Sequence, residues 1–433
     1  MKSVSFSKKS QSTPESPIAY YMEQAIENPH LISLAAGLVD NDSLPVELVK
    51  ESIDRIFSNR KLAKMALQYG TTQGFLDLRE EVLKHVLQLD QNGINGISET
   101  GKIGKNELNS RNVVVSSGSQ QILYLLCEIL LDPEDIVITE IPSYFVFHSA
   151  LLGHQVQFKG IPMDEEGMQI TVLEEYLSAM AAAGQLHRIK LIYTVDYFQN
   201  PSGLTLSKNR REQLFRVVQK FADQQRILIL EDAAYRELRY EGEDIPSIKS
   251  LDQKNEHVIY AGTFSKPTAP GFKTGYSIMP ADLIPAITRI KANHDFGSNN
   301  LSQHILFDIL KSGAYARHVQ NLLPVYRKKR DTMLQVLSEC FGDLSEVSWT
   351  KPKGGMFIWI TFSPRIETGG GSEFLKEAIR QGVLYVPGEC GLIGESRKAM
   401  SHHARLAFGE PTIEEIQKGI HRLRKAYDTV MKK

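Results

Sequence analysis

One lysine of this chain, Lys266, lies in a segment whose residues suit a reactive amine. Segment 261–276 reads AGTFSKPTAPGFKTGY, so small and hydroxylated residues flank the lysine shortly after the apolar run 258–260. A lysine that only covers the surface needs no such setting. A lysine that attacks a carbonyl carbon must first lose its proton, and burial favours this loss by lowering the pKa of the amine. The segment therefore predicts a lysine that forms a Schiff base.

Two polar residues upstream could take part in the same chemistry. Asp232 ends the apolar segment LILED, where a carboxylate without a partner would be costly, so we expect it to face a cation. A helix N-cap is the alternative role for this aspartate. Asn200 lies in the segment NPSG, which also has the composition of an ordinary turn. The order of Asn200, Asp232 and Lys266 along the chain favours a functional role for all three.

A candidate phosphate-binding turn follows the apolar run 113–115. Gly118, Ser119 and Gln120 precede an apolar helical segment that begins at Ile122. The N-terminus of a helix attracts a phosphate because its first backbone N–H groups have no partner within the helix, and glycine lets the ligand approach closely. An ordinary strand-to-helix turn is the alternative interpretation.

Taken in chain order, these motifs resemble those of class I and II aminotransferases, the fold-type-I enzymes that use pyridoxal 5′-phosphate (PLP). The resemblance runs from about Leu31 to the C-terminus. It rests on Gly118, Ser119 and Gln120 in VVVSSGSQQ, Tyr144 in IPSYFVF, Asn200 in DYFQNPSG, Asp232 in LILEDAAY, Lys266 in GTFSK and Arg405 in ARLAFG.

The resemblance implies a role for each residue that would contact the cofactor. Lys266 would anchor PLP covalently and, once released, move a proton between the substrate α-carbon and the cofactor. Asp232 would pair with the pyridine nitrogen and keep it protonated, which makes the ring an electron sink. Tyr235 and Asn200 match residues that bind the phenolic oxygen. The remaining matches are Tyr144, which stacks on the ring, and the phosphate ligands Gly118, Ser119, Gln120, Thr263, Ser265 and Lys273.

The resemblance also implies a grip on the substrate and a shared dimeric site. Arg405 matches the arginine that binds the substrate α-carboxylate, a task that suits the planar, bidentate guanidinium. Gly37 would line the carboxylate side of the pocket, and Asn200 would lie beside the substrate. Tyr69 in QYGTTQG matches a tyrosine that reaches the phosphate of the partner subunit. An obligatory homodimer with shared active sites follows from that match.

The chain departs from the family pattern near the phosphate and the substrate. Lys273 replaces the usual arginine and can pair with the phosphate only as a point charge. The other departures lie where the substrate side chain is expected, so the motifs leave the substrate open. They are Ala36 in place of a common glycine, Asp40 and Asn41 in place of proline or serine, and the pair His402 and His403 before Arg405.

Composition narrows the class of protein. The chain has 433 residues, of which 42% are hydrophobic and 23% charged, and its net charge of -1 indicates neither nucleic acid nor anionic lipid as a partner. Cys127, Cys340 and Cys390 have neither disulfide-framework nor metal-site spacing. The N-terminal segment lacks the apolar core of a secretory signal, and no apolar run is long enough to span a membrane. These features predict a cytoplasmic protein without a metal site.

We expect buried strands to position the candidate residues. The sequence between residues 112 and 276 contains several segments that predict such strands. The runs 113–115, 136–138, 191–193, 227–230 and 258–260 are apolar on both faces and alternate with helical patterns. One helix shows apolar residues at positions 214, 217, 218 and 221 after the candidate N-cap Ser207. We predict an α/β fold with a mostly parallel central sheet flanked by helices, which the resemblance identifies as fold type I.

The pattern changes after about residue 300, which suggests a second lobe. Amphipathic helices there are followed by the strand-like MFIWI, the helical EFLKEAIRQG and the strand-like ARLAF, whereas the glycine-rich segment 368–372 predicts a loop. We predict a flexible N-terminal arm at 1–16 and a large PLP-binding domain at 60–310. A smaller α+β domain would combine 17–59 with 311–433, a discontinuity that the resemblance implies.

The predicted function is a PLP-dependent aminotransferase that moves an amino group from an L-amino acid to a 2-oxo acid. The nearest subgroup contains aromatic, 2-aminoadipate and branched-chain aminotransferases. A second hypothesis keeps the cofactor but changes the outcome to β-elimination, decarboxylation or an oxidase-like reaction, because such enzymes share the motifs. A third is the ligand-sensing domain of aminotransferase-like transcription regulators, which we do not expect because the segment before Leu31 is too short for a DNA-binding domain.

Overall fold

The structure, a computed structural model, describes residues 4–14, 21, 23–24, 27–28, 30–92, 108–392 and 400–432. Within these residues the strands are β1 (Ile32–Ser33), β2 (Val113–Ser116), β3 (Ile136–Ile141), β4 (Gln157–Asp164), β5 (Gly167–Met168), β6 (Ile189–Thr194), β7 (Leu228–Asp232), β8 (Val258–Thr263), β9 (Gly275–Ile278), β10 (Ser348–Trp349), β11 (Phe357–Thr361), β12 (Val383–Leu384), β13 (Val386–Pro387) and β14 (His403–Ala407).

The helices of the same residues vary from one turn to about eight turns. None of the described helices combines the length and the apolar character needed to cross a membrane. They are α1 (Lys8–Ser12), α2 (Val46–Ser58), α3 (Arg60–Leu67), α4 (Leu76–Asn92), α5 (Ser119–Leu130), α6 (Phe145–Gly153), α7 (Ile170–Ala182), α8 (Lys208–Phe221), α9 (Leu283–Asp295), α10 (Asn300–Lys311), α11 (Ala314–Phe341), α12 (Glu373–Gln381) and α13 (Ile413–Met431).

An eight-stranded mixed sheet forms the centre of the fold, in the order β2-β9-β8-β7-β6-β3-β4-β5. The pairs β3/β4, β3/β6, β6/β7 and β7/β8 are parallel. β9 is antiparallel to both β2 and β8, and β5 is antiparallel to β4. The five apolar runs predicted as strands are β2, β3, β6, β7 and β8, so the mostly parallel central sheet is confirmed.

The strands of this sheet are apolar on both faces because helices pack on each side. Successive residues of a strand point to opposite faces, and Leu191 and Ile192 of β6 accordingly belong to two separate hydrophobic clusters. α8 covers the face of Ile192 with Leu214 and Phe221. The predicted N-cap is confirmed, since the Ser207 side chain accepts a hydrogen bond from the third residue of that helix.

The parallel strands create one edge of the sheet at which a site can form. β3, β6, β7 and β8 run in the same direction, so the segments that follow them leave the sheet at the same edge. Ligand sites of open α/β sheets form at this carboxyl edge. Asp232 and Thr263 are the last residues of β7 and β8, and Glu140 and Thr194 hold similar places in β3 and β6.

A smaller antiparallel sheet in the order β10-β11-β14-β13 carries the C-terminal candidate residue. Arg405 of β14 pairs in register with Trp359 of β11 and with Val386 of β13. β1 pairs with β12, which ties the N-terminal segment to this lobe. The predicted elements MFIWI, EFLKEAIRQG and ARLAF are β11, α12 and β14, and segment 368–372 is outside any strand.

The predicted N-terminal arm contains α1, which lies against α5 and α6. Lys9 forms an ion pair with Glu128, and its Nζ lies 3.3 Å from Nε2 of His154. The same ammonium group is 5.2 Å from the ring centroid of Tyr124. Residues 1–3, 15 and 16 of the arm lie outside the described residues. The division into arm, small domain and large domain stays a prediction.

Candidate active site

Lys266 follows β8, and its amine contacts a residue from a distant segment of the chain. Its Nζ donates a hydrogen bond to the carbonyl oxygen of Gly37, 2.7 Å away. Burial lowers the pKa of the amine from 10.5 to about 8, and the charges of Arg405 and Lys273 contribute to the shift. A larger fraction of this amine is neutral near pH 7 than for a lysine in water. The structure therefore provides the setting that a nucleophilic lysine needs.

Asp232 ends β7 with a buried carboxylate that is bound only by neutral groups. The Tyr193 hydroxyl donates to Oδ2 at 2.9 Å, and the backbone N–H of Ala234 donates to Oδ1 at 3.2 Å. Burial raises the carboxyl pKa from 3.8 to about 6. A turn follows at 234–237, so Asp232 does not cap an α-helix. Among the described residues no cation pairs with this carboxylate, which fits a protonated ring nitrogen as its partner.

The turn before α5 presents backbone N–H groups at the same edge of the sheet, where the phosphate site is predicted. Gly118 has a φ of 74°, and a Cβ built on it would meet nothing within 4 Å. No side chain of the described residues caps this N-terminus, so its N–H groups can bind a phosphate. A Cβ on Gly275 would lie 2.4 Å from the nitrogen of Ser119, so glycine is needed there. The side-chain oxygen of Gln120 is buried without a hydrogen bond, and the backbone N–H of this residue belongs to the first turn of the helix.

Thr263, Ser265 and Lys273 belong to the segment beside this turn. Gly275 pairs in register with the last residue of β2 and with Thr263, the last residue of β8. The hydroxyl oxygens of Thr263 and Ser265 are 3.1 Å apart. Lys273 is exposed and has a φ of 46°, a left-handed conformation that is uncommon outside glycine. Two hydroxyls, a helix N-terminus and a lysine are groups that bind phosphate.

Arg405 is a buried cation whose guanidinium has no carboxylate partner among the described residues. Only 1% of the side chain is exposed. Its Nη1 donates to Oδ1 of Asn200 at 2.8 Å, its Nη2 donates to the carbonyl oxygen of Ala35, and its Nε is buried without a hydrogen bond. Burial lowers its pKa to about 10. A buried cation without a counter-ion is costly, so the site is suited to a ligand carboxylate.

Aromatic rings surround this guanidinium. The centroid of Phe357 lies 4.4 Å from Cζ of Arg405, and that of Phe145 lies 5.2 Å from it. Tyr235 packs edge-on against Phe357 with ring centroids 5.5 Å apart, and the Asn200 side chain contacts its hydroxyl. Tyr144 is the N-cap residue of α6, and burial raises its pKa above 10. The predicted Tyr144, Asn200, Tyr235 and Arg405 therefore lie together.

Sequence reasoning missed the partners that hold these groups in place. The sequence gives only a weak indication of the role of Tyr193: a tyrosine inside a buried strand needs a polar partner for its hydroxyl, but the pattern does not say which. Phe145 and Phe357 looked like ordinary core residues. The sequence gives no indication that the carbonyl of Ala35 is a partner, because every residue has the same backbone carbonyl group.

Tyr69 is the predicted site residue that lies apart from the others in the single chain. Its side chain is 82% exposed and packs edge-on against Phe296, with ring centroids 5.6 Å apart. Phe296 is itself exposed. The structure of one subunit therefore leaves the role of Tyr69 in a partner site as a prediction.

Two of the departures from the family pattern are engaged within the protein. Asp40 is buried, and its carboxylate binds Lys329 and Ser43. His403 stacks on Trp359 with ring centroids 5.6 Å apart, and burial lowers its pKa to about 4. Neither the paired carboxylate of Asp40 nor the neutral imidazole of His403 therefore offers a free charge.

The chain matches the aminotransferase class I and II family over residues 29–423, a range that contains every site residue named above. An aromatic-amino-acid aminotransferase from Thermococcus litoralis is 35% identical over 408 residues, which cover 94% of this chain and 90% of the relative. An HTH-type transcriptional regulator of Bacillus subtilis, YdfD, is 30% identical over 413 residues, which cover 95% of this chain and 77% of the regulator.

A solved structure gives the same result for the fold. The kynurenine aminotransferase of Pyrococcus horikoshii, crystallised with PMP, has a TM-score of 0.86 and 34% sequence identity over 98% of this chain and 97% of its own. The predicted fold class is confirmed by this likeness.

Proposed function

This chain belongs to the aminotransferase class I and II family of PLP-dependent transaminases, and we propose that Lys266 holds the cofactor while an amino group passes from an L-amino acid to a 2-oxo acid. The observation that carries the proposal is the unpaired guanidinium of Arg405 in the same site as the Lys266 amine. An amino acid would bring the carboxylate that this cation lacks. Its amino group would then lie within the site of the lysine.

The residues fit PLP at both ends of the cofactor. Asp232, buried without a cation among the described residues, suits the ring nitrogen, and the Gly118 turn with Thr263, Ser265 and Lys273 suits the phosphate. When bound, PLP supplies an electron sink that stabilises negative charge at the substrate α-carbon. Tyr235 and Asn200 would bind the phenolic oxygen, and Tyr144 would pack on the ring.

Lys266 and Arg405 divide the remaining work. Arg405 fixes the α-carboxylate of the substrate, which keeps the carboxylate from leaving and turns the α-hydrogen towards the lysine. The amine of Lys266, whose pKa is lowered to about 8, removes that proton and returns it. Because this pKa lies close to neutral pH, the amine can both accept the proton and give it back.

We propose that the substrate side chain is aromatic or otherwise uncharged. Phe145 and Phe357 flank the guanidinium of Arg405, and neither Asp40 nor His403 offers a free charge. The relatives named for aromatic amino acids and kynurenine support the same class.

The function is tested by incubating the holoenzyme with L-phenylalanine and no acceptor. We expect one equivalent of 2-oxo acid per site, after which release stops until a 2-oxo acid is added; D-phenylalanine serves as the control and should give no product. Sustained release of ammonia or carbon dioxide would establish elimination, oxidase-like or decarboxylation chemistry instead. Binding without any conversion, for all twenty amino acids, would favour the ligand-sensing role.

We also propose that the enzyme is a homodimer with shared active sites. Large apolar side chains are exposed in the segment 46–76 and at a neighbouring position, and such a concentration marks an interaction surface. Tyr69 lies within this surface, as its predicted contact with the phosphate of the partner subunit requires. The exposed residues are Val46, Phe57, Leu62, Met65, Leu67, Tyr69, Leu76 and Phe296.

The Tyr69→Phe variant should release PLP more readily while remaining dimeric. Phenylalanine keeps the apolar ring but lacks the hydroxyl, so the dissociation constant of PLP should rise roughly tenfold, as for one hydrogen bond to a charged group. Equilibrium titration of cofactor absorbance and sedimentation measure the two properties. Tyr176→Phe, which changes a tyrosine of α7, is the control. A wild-type monomer with full activity would rule out the shared site.

We place the protein in the cytoplasm with small molecules as its partners. Cys127, Cys340 and Cys390 form no disulfide within the described part of the chain, which suits a reducing compartment. The net charge of -1 offers no general attraction for nucleic acid.

A further inference from the structure

A buried carboxylate that the proposed mechanism does not use, Glu140, lies near the carboxyl end of β3. Only 1% of the surface of this residue is exposed to solvent. Its Oε1 accepts a hydrogen bond from the Thr194 hydroxyl at 2.6 Å. Its Oε2 accepts from the backbone N–H of Val195 at 3.1 Å and from Nε2 of Gln199 at 2.6 Å. All three partners are donors, so the arrangement matches an ionised carboxylate.

Gln199 connects this carboxylate to the turn that begins at Asn200. Besides Glu140, its Nε2 donates to the carbonyl oxygen of Pro142 at 3.0 Å, and its Oε1 accepts from the backbone N–H of Ser202 at 3.3 Å. The backbone of Gln199 closes the same turn, since its N–H donates to the carbonyl oxygen of Leu204 at 2.7 Å. Both ends of this glutamine are therefore fixed.

The next residue in the turn is Asn200, whose Oδ1 accepts the hydrogen bond from Arg405. Two hydrogen bonds and the peptide bond between Gln199 and Asn200 thus connect Glu140 to the guanidinium of Arg405. All four residues are buried, so water cannot replace a lost partner at low cost.

We propose that Glu140 is a positioning residue for substrate binding: its carboxylate fixes the turn at Gln199 and thereby holds Asn200 against Arg405. The inference rests on the proposed function, because it assumes that Arg405 binds the substrate carboxylate. Glu140 has no role in the chemical step itself.

Stability does not account for a carboxylate at this position. Burial, with a smaller contribution from Asp232, raises the Glu140 pKa from 4.5 to about 7, although its three hydrogen bonds act in the opposite direction. The folded state therefore binds more protons than the unfolded state between pH 4.5 and about 7, so stability falls as the pH rises through that window. The charge costs stability where the enzyme would work.

The same titration predicts how binding depends on pH. Among the groups that act on Glu140, those that can titrate are Asp232, which raises its pKa, and Tyr193, whose hydroxyl interacts with the carboxylate. Protonation of Glu140 adds a hydrogen to a carboxylate whose oxygens accept from three donors, and this weakens the hydrogen bond from Gln199. Affinity for a substrate carboxylate should then decline as the pH falls through about 7.

The test measures binding of 3-phenylpropionate, a carboxylate without an amino group, to the holoenzyme by calorimetry between pH 6 and 8.5. In the Glu140→Gln variant the dissociation constant at pH 8 should rise roughly tenfold, the usual scale for a coupled buried contact. The dependence on pH near 7 should disappear. The melting temperature at pH 8 should not fall below that of the wild type, since the variant removes a buried charge.

The matched control is Asp252→Asn. Asp252 is also a buried carboxylate with several hydrogen-bond donors, but it lies at the amino edge of the sheet, where it accepts from the backbone of His257 and Val258. This variant should melt earlier and bind 3-phenylpropionate as the wild type does. Equal losses of affinity in both variants, or unchanged affinity in Glu140→Gln, would overturn the proposal.

A second variant keeps the test decisive if Glu140→Gln does not fold. Gln199→Leu removes the link between Glu140 and the turn and should weaken binding to a similar extent. In the double variant the two losses should not add; additive losses would show that Glu140 acts by another route. Failure of the proposed function is distinct, because the wild type itself would then neither bind 3-phenylpropionate nor form a 2-oxo acid.

Discussion

Replacing Lys266 by alanine is expected to reduce amino transfer by roughly 10⁴-fold or more, because the variant loses both the covalent anchor and the proton-transferring amine. The amine reaches the carbonyl of Gly37 and lies near Arg405, so a neighbouring side chain cannot easily take its place. The rate of 2-oxo acid formation from L-phenylalanine at saturating PLP measures the loss. Turnover within tenfold of the wild type would contradict the assignment.

A second buried lysine provides the control for this variant. Lys249 is buried, and its Nζ donates to Asn255 and to the carbonyl oxygen of Val258 at the amino edge of the sheet. Lys249→Ala should lower the melting temperature but leave the activity per folded molecule unchanged. Borohydride reduction of the holoenzyme followed by peptide mapping should place the cofactor label on Lys266. A label on any other lysine would refute the assignment independently of kinetics.

The Asp232→Asn variant should retain PLP but lose most activity, by roughly 10³-fold or about 4 kcal/mol of transition-state stabilisation. The amide cannot keep the ring nitrogen protonated, and the electron sink is lost with that proton. Single-turnover formation of 2-oxo acid, with cofactor content measured on the same sample, tests this expectation. Near-normal turnover in Asp232→Asn would disprove the role.

Two controls separate this effect from damage to the fold. The raised pKa of Asp232, about 6, means that the apo-protein loses stability as the pH rises from about 4 to 6, because the folded state then has to release a proton. Apo-Asp232→Asn should therefore melt no earlier than the wild type at pH 8. Tyr193→Phe removes one hydrogen bond to the carboxylate and should cost only about tenfold in rate.

Local patterns in the sequence were sufficient to predict five strands of the central sheet and to single out candidate reactive residues. Runs such as 136–138 and 191–193 are apolar on both faces, and that composition reports burial between two layers of helices whatever the partner strands are. Asp232 and Lys266 could be singled out because a charged residue at the end of a buried strand is costly and therefore rarely incidental.

Contacts between distant segments were beyond the reach of such patterns. Arg405 meets Asn200 across 205 residues, and Lys266 meets Gly37 across 229 residues. No pattern in the sequence indicated the hydrogen bonds of Glu140. A glutamate before Ile-Pro resembles a solvated loop residue, and only the structure shows its contacts with Thr194 and Gln199.

The sequence by itself determined which chemical groups this protein has and which of them end buried strands, because side-chain type and periodicity are local properties. The tertiary structure alone decided their charge states and partners. The pKa of Lys266 near 8 and the missing counter-ion of Arg405 arise from burial and from neighbours supplied by other strands. Desolvation and charge interactions depend on distances in space, and no spacing along the chain records them.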